Sequence, residues 1–209
     1  MIFDNDAITE LRMLIRDKMS ERRYVHTLGV EKMAKYLGDI IIPKHTNELC
    51  VAALLHDITK ELTYEEQVHL LEESEISCTK EDLDTKPALH SISAVPFIKK
   101  YFRKYVTADV LSAVFNHTLG DVNMSVFDEI IFISDYAEEN RKYISCKEVR
   151  EYLLININKS NSQEKNITIL HKASLLAINS TIDSLTRKGE SINSRTVLTK
   201  QYLESVIDN

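Results

Sequence analysis

An all-α fold is predicted for this 209-residue chain from three features. Gly 4 and Pro 3 are very few, and sheets need many tight turns built from such residues. No sustained apolar/polar alternation marks a half-buried strand. Apolar residues recur instead at helical spacing through most of the chain. The length fits one large domain with a real core, and 44% apolar with 28% charged residues is ordinary for a globular chain.

The elements follow in order. Asp4 to Asp6 offers caps for a first helix with Ile8, Leu11, Leu14 and Ile15 on one stripe. Ser20 can cap a second helix over residues 21 to about 37, with Tyr24/Val25, Leu28, Met33 and Leu37 inward and His26 at the edge of that face. Pro43 breaks the chain, and Thr46 can cap a helix from 47 to about 59 that is apolar nearly all round and therefore buried. Thr63 to Glu66 has capping-box form and opens a short polar helix to about 73, with His69 toward solvent. Residues 72–84 read as an acidic loop with one helical turn. Pro87 can start a helix carrying His90, Ala94, Phe97, Ile98 and Tyr101, bent or interrupted at Pro96. Thr107 caps a helix ending at His117, stopped by Thr118-Leu119-Gly120. Ser125 to Asp128 opens a helix that carries Asp135 in apolar surroundings. Residues 156–166 read as a flexible connector, 167–186 as an amphipathic packing helix, and 196–206 as a closing helix or segment. His171 has no ligand-type neighbour in sequence and reads as structural or exposed. The expected organisation is one domain over 1–209, with a core at about 20–142 and a helical C-terminal segment at about 143–209.

Composition narrows the function. A formal net charge of -6 disfavours nucleic-acid binding, which needs a basic surface. Cys50, Cys78 and Cys146 are odd in number and form no Cys-x-x-Cys pair, which suits a reducing cytosol and no structural zinc. The first residues lack the pattern of a signal peptide, and no run is long enough for a membrane span. A cytoplasmic protein with no nucleic-acid or membrane partner is expected.

The chemistry gathers at Leu54-Leu55-His56-Asp57-Ile58-Thr59-Lys60. Adjacent helical residues point about 100° apart, so His56 and Asp57 converge only on something lying between them, such as an ion. A buried Asp costs several kcal/mol unless it is paired, protonated or cation-bound. Lys60 is one candidate partner for Asp57. His26, His90, His117 and Asp135 add four more ligand-type residues in apolar helical settings. Four imidazoles and two carboxylates suit borderline divalent ions such as iron, manganese, cobalt or zinc. Six ligands are enough for two ions sharing one carboxylate, and such a pair can hold a hydroxide and support in-line displacement at phosphorus.

The order of these residues resembles the HD phosphohydrolase superfamily. Residues 23–30 (RYVHTLGV), 56–60 (HDITK), His90, 116–120 (NHTLG) and 135–141 (DYAEENR) look like its YqeK-type branch, the symmetrical bis(5'-nucleosyl)-tetraphosphatases. The likeness covers roughly 24–141 and weakens toward 185. It implies an HD-domain helical bundle with a C-terminal helical extension. It also implies a hydrolase with two divalent ions, iron first, that cuts diadenosine tetraphosphate into two ADP by a hydroxide held at the metals. His26, His56, Asp57 and Asp135 would hold one ion; His90 and His117, with Asp57 bridging, would hold the other. Asp57 and Lys60 would be catalytic. Lys60, Thr118, the Gly120 backbone and Arg141 would contact the phosphates, with pairing to Asp57 an equal option for Lys60 and pairing to Asp135 or Glu138 an option for Arg141. The partner implied is a small ADP-containing nucleotide, with a second copy of the chain as an option. The chain departs from the pattern at Ser134, at Glu139 and at Asp121, where relatives often carry Arg; a carboxylate near a polyphosphate adds repulsion. Another HD nucleotide phosphohydrolase, or a non-catalytic nucleotide-binding HD module, are the alternative readings.

Overall fold

The helix over Thr46–Leu55 (α3, numbered in chain order) is buried at every position except the half-buried Asn47, so it forms the centre of the fold. The computed structural model describes residues 3–207, and these form helices and turns with no strand. α1 (Asn5–Arg16) and α2 (Glu21–Ile41) precede α3. After it come α4 (Tyr64–Glu72), α5 (Lys80–Asp84), α6 (Leu89–Tyr101), α7 (Ala108–Asn116), α8 (Val126–Ala137), α9 (Ile144–Asn156), α10 (Gln163–Lys188) and α11 (Ser194–Ile207). α3 packs against α1, α2, α7 and α8. α10 lies against α2, α8, α9 and α11, which ties the C-terminal helices to the core.

The caps explain most of the helix starts. Asp4 accepts from Ala7 N, Ser20 from Arg23 N and Thr107 from Val110 N. Thr63 with Glu66 and Ser125 with Asp128 form complete capping boxes. Thr46 does not cap α3. A 3-10 turn at Pro43–His45 runs straight into the helix, so Thr46 is already helical and its hydroxyl donates back to Pro43 O at 3.3 Å. α3 also ends at Leu55, and residues 56–60 form a turn closed by Lys60 N to Asp57 O at 2.9 Å.

Other expectations need correction. Leu14 and Val25 face outward, at 46% and 43% exposure, because Leu11, Ile15 and Val30 take the core side of their helices. Pro96 does not interrupt α6: one missing N–H removes one rung, and buried Ile92 and Ile98 hold the helix on both sides. α9 was not singled out within the helical segment expected from about 143, and α10 begins inside the stretch read as a connector, capped by Ser162. Two buried carboxylates of the core are paired: Glu31 with Arg12 at 2.6 Å, and Glu48 with His45 at 3.2 Å.

Candidate metal centre

Five helices meet where α3 ends. His56 and Asp57 lie in the turn after α3, His117 caps the C-terminal end of α7, and His90 is the second residue of α6. His26 comes from the second turn of α2, and Asp135 from the last turn of α8. All six expected ligands therefore converge, although Asp135 is separated from His26 by about half of the chain.

Asp57 stands in the middle, and its two oxygens face different neighbours. Oδ2 lies 3.6 Å from His26 Nε2 and 3.4 Å from His56 Nε2. Asp135 Oδ1 closes that side, 2.9 Å from His26 Nε2 and 3.8 Å from His56 Nε2. Oδ1 of Asp57 lies 3.1 Å from His90 Nε2 and 3.6 Å from His117 Nε2, and these two nitrogens are 3.1 Å apart. The groups His26-His56-Asp57, His56-His117-Asp135 and Asp57-His90-His117 each bring three ligand atoms within 4.8 Å of one another.

The histidine rings are set for ligation. His56 Nδ1 donates to Ala53 O at 2.6 Å, and His117 Nδ1 donates to Val114 O at 2.7 Å. Both carbonyls belong to C-terminal helix turns, whose last carbonyls lack helical partners. With the proton fixed on Nδ1, the lone pair sits on Nε2 and points into the centre. His56 Nε2 is buried and has no hydrogen-bond partner, and the buried His26 Nε2 faces the carboxylates of Asp57 and Asp135. Metal–ligand bonds of about 2.0–2.2 Å place neighbouring ligand atoms roughly 3–3.6 Å apart, the spacing found here. Buried imidazole nitrogens converging on two carboxylates at this spacing fit divalent cations.

The electrostatics agree for Asp57, Asp135, His56 and His90. Burial works to raise the Asp57 carboxyl, but the imidazoles of His56, His117 and His90 hold it well below the usual carboxylate range. Burial lowers His56, and it pushes His90 down to about 4, so both rings are neutral. Burial also opposes a charge on His26, yet Asp135 and Glu138 raise it to about 9. Burial opposes ionised Asp135 as well, and Arg141 and His26 overcome it. An anionic carboxylate with neutral imidazoles is the form that binds a metal, so His56 and His90 are ready for it, whereas His26 has to give up its proton when an ion binds.

The residues expected to touch substrate divide in two. Lys60 does not pair with Asp57; its ammonium donates to Pro87 O at 3.0 Å and lies 3.1 Å from His90 Nδ1, with burial lowering its pKa. Thr118 Oγ1 is 3.2 Å from His90 Nε2. Both stand at the His90 edge of the centre. Gly120 is engaged otherwise: its N–H donates to Asn116 O at 2.9 Å and its carbonyl accepts from Arg195 at 2.9 Å. The Arg141 guanidinium is committed to Asp135, with bonds of 2.5 Å to Oδ1 and 2.9 Å to the backbone carbonyl. His69 is exposed beside Glu73, as expected. His171 is structural, but it does have an acidic neighbour: Nδ1 is 2.8 Å from the buried carboxylate of Glu129.

Arg23 and Glu138 were missed as site residues. Arg23 pairs with Asp57, and Glu138 Oε1 lies 3.1 Å from His26 Nδ1. Each is three residues from a ligand, Arg23 before His26 on α2 and Glu138 after Asp135, a spacing that places side chains together at a helix face or end.

Residues 23–140 match the HD domain family, a span that takes in all six converging residues. The chain belongs to the HD domain family. Several relatives of this HD chain share one name. It is 32% identical over 167 residues to the symmetrical bis(5'-nucleosyl)-tetraphosphatase of Halalkalibacterium halodurans, covering 76% of this chain and 84% of the relative. It is 25% identical over 191 residues to the protein of that name from Bacillus subtilis, covering 91% and 94%. The fold is shared with a crystal structure from Clostridium acetobutylicum described as a predicted HD superfamily hydrolase involved in NAD metabolism, at TM-score 0.80, 28% identity and 98% coverage of both chains. No helix among the described residues is long and apolar enough to cross a membrane.

Proposed function

We propose that this HD protein hydrolyses dinucleoside polyphosphates, cutting diadenosine tetraphosphate symmetrically into two ADP, with two divalent ions at the centre. The observation that carries the reading is the division of Asp57: one oxygen faces His26, His56 and Asp135, and the other faces His90 and His117. With ions bound, one oxygen of Asp57 would join His26, His56 and Asp135 around one of them, and the other oxygen would join His90 and His117 around the second. The names of the relatives support the substrate. Iron is the first choice of metal, with manganese, cobalt or zinc as alternatives for an imidazole-rich set with carboxylates.

When bound, the ions supply Lewis acidity toward phosphoryl oxygens and make water nucleophilic at neutral pH. The protein's own groups do the rest. Asp57 fixes the spacing of the two halves, and Arg23 balances its charge. Arg141 holds Asp135 in place through two bonds. Lys60 and Thr118, at the His90 edge, face the side from which a polyphosphate reaches the ligands, and a cation and a hydroxyl there bind phosphate oxygens as charge develops. Attack of water oxygen on an inner phosphorus breaks the central P–O–P bond and releases ADP from each side.

The test is elemental analysis of the purified protein beside a product assay on diadenosine tetraphosphate. Two metals per chain with ADP as sole product supports the reading. Unequal products such as AMP and ATP overturn symmetrical cleavage. Bound metal without turnover favours another nucleotide substrate or a binding module.

A further inference from the structure

The last helix of the chain closes on the turn that carries His117. Arg195, in the first turn of α11, reaches it with one guanidinium nitrogen: Nη2 donates to Asn116 Oδ1 at 3.0 Å and to Gly120 O at 2.9 Å. The guanidinium also lies 4.4 Å from the centroid of Phe115. These contacts fall on both sides of His117 and Thr118, so a single side chain spans the turn.

The turn needs such donors. α7 ends at Asn116, and carbonyls at and beyond a helix end lack helical partners. Thr196 adds a longer bond to Leu119 O at 3.4 Å. Gly120 has φ +73, and a Cβ there would meet Thr199 Cγ2 at 2.6 Å, so α11 lies directly on the turn. Burial works against the Arg195 cation, and the carboxylates of Asp121 and Asp82 work for it.

Both ends of this contact are anchored. Arg195 N donates to Asn193 Oδ1 at 2.9 Å, Asn193 Nδ2 donates to Thr85 Oγ1 at 3.0 Å, and Ser194 N donates to Glu81 Oε1 at 2.7 Å. On the other side, the Asn116 amide nitrogen faces Ser112 Oγ at 3.4 Å and Asp128 Oδ2 at 3.5 Å. The turn so held delivers two groups to the centre. His117 Nε2 lies 3.6 Å from Asp57 Oδ1 and 3.1 Å from His90 Nε2, and Thr118 Oγ1 is 3.2 Å from the same His90 nitrogen. An imidazole sits on two side-chain torsions and moves with its backbone, whereas a metal ligand must be placed to within about 0.5 Å.

We propose that Arg195 is a positioning residue for the metal centre: it fixes the turn from Asn116 to Gly120 and, through His117, sets the affinity of the ion on the Asp57 Oδ1 side; this rests on the two-ion reading above.

The test is a double-mutant cycle read by manganese titration of the full chain, with wild type, Arg195→Met, His117→Ala and the double variant. Arg195→Met is expected to weaken one ion by roughly tenfold, as losing a group that orients a ligand does, and to leave the other within about twofold. With His117 already alanine, the same change is expected to add less than about twofold. Leu203→Ala removes core packing of α11 two turns beyond Arg195 and serves as the control, with both ions expected within about twofold of wild type. Should Arg195→Met not fold, Arg195→Lys takes its place in the cycle, with a loss of about threefold or more expected at one ion because an ammonium cannot stack flat on Phe115. Unchanged affinity for both ions in the folded Arg195 variant overturns the assignment. So does equal weakening of both ions, a full further loss on top of His117→Ala, or the same loss in Leu203→Ala. A wild type that binds no manganese overturns the two-ion reading and this role with it. Bound manganese without turnover of diadenosine tetraphosphate overturns the hydrolase reading alone, because the cycle reads metal affinity and not activity.

Discussion

Glu138 holds His26 from behind: its Oε1 lies 3.1 Å from Nδ1, while Nε2 of the same ring faces Asp57 and Asp135. Glu138 is itself buried and accepts from Asn140 N at 2.6 Å and Asn140 Nδ2 at 3.0 Å, so it is fixed before it orients the ring. A carboxylate on the far nitrogen of a ligating histidine sets its tautomer and its basicity. Glu138→Gln is therefore expected to weaken binding of one of the two ions by roughly 10–100-fold. Competitive metal titration checks this, and an unchanged affinity for both ions would remove Glu138 from the site.

Gly29 makes that contact possible. A Cβ at this position would lie 2.3 Å from Glu138 Oε2 and 3.0 Å from Asn140 Nδ2. Gly29→Ala is expected to displace Glu138 and to cost about 1–3 kcal/mol of stability, as overpacking does. Thermal unfolding of the variant reads the cost, and metal titration shows whether His26 moves with its partner.

Asp57→Ala removes the carboxylate whose two oxygens face the two halves of the centre. It is expected to abolish turnover of diadenosine tetraphosphate and to lower the content of both metals, whereas Asp135→Ala lowers chiefly one. Full activity with full metal in Asp57→Ala would sink the bridging assignment.

Lys60→Met keeps most of the aliphatic length and removes the charge. Because Lys60 touches His90 from outside the ligand set, metal content should hold while kcat/KM falls by roughly 10²–10³, the cost typical of losing one group that stabilises developing charge. Loss of metal instead would make Lys60 a support for His90.

Asp121 follows Gly120 on the turn after His117, with its Oδ1 capping Val122 N at 2.6 Å. Asp121→Arg reverses the local charge and is expected to lower KM for the tetraphosphate, most clearly at low salt where screening is weak. A steady-state comparison at two ionic strengths checks it; a KM that rises or stays level would place this turn away from the phosphates.

Much of this was legible in the sequence because it depended on local rules. Ser20, Thr63, Thr107 and Ser125 cap the helices they were expected to cap, and the six ligand-type residues stood out as polar groups in apolar helical settings. What was not legible depended on distance in space. The partner of Asp57 is Arg23 on α2 and not nearby Lys60, because the turn after α3 carries Lys60 toward Pro87. α9 has few cues: Tyr143 gives no side-chain cap, and its buried residues Cys146, Val149 and Leu153 are sparse. The tie between Arg195 and Gly120 joins residues 75 apart, and no periodicity announces it.

His56 and His117 share one device, a ring N–H given to the carbonyl three residues earlier at the end of a helix. Ala53 and Val114 thus belong at once to a helix terminus and to a ligand. The last turns of α3 and α7 cannot fray without freeing those rings, and the rings cannot swing away without uncapping the helices. Fraying and ligand release are a single cooperative event, so binding an ion should slow amide hydrogen exchange at both helix ends together, even though the two helices are remote in the chain.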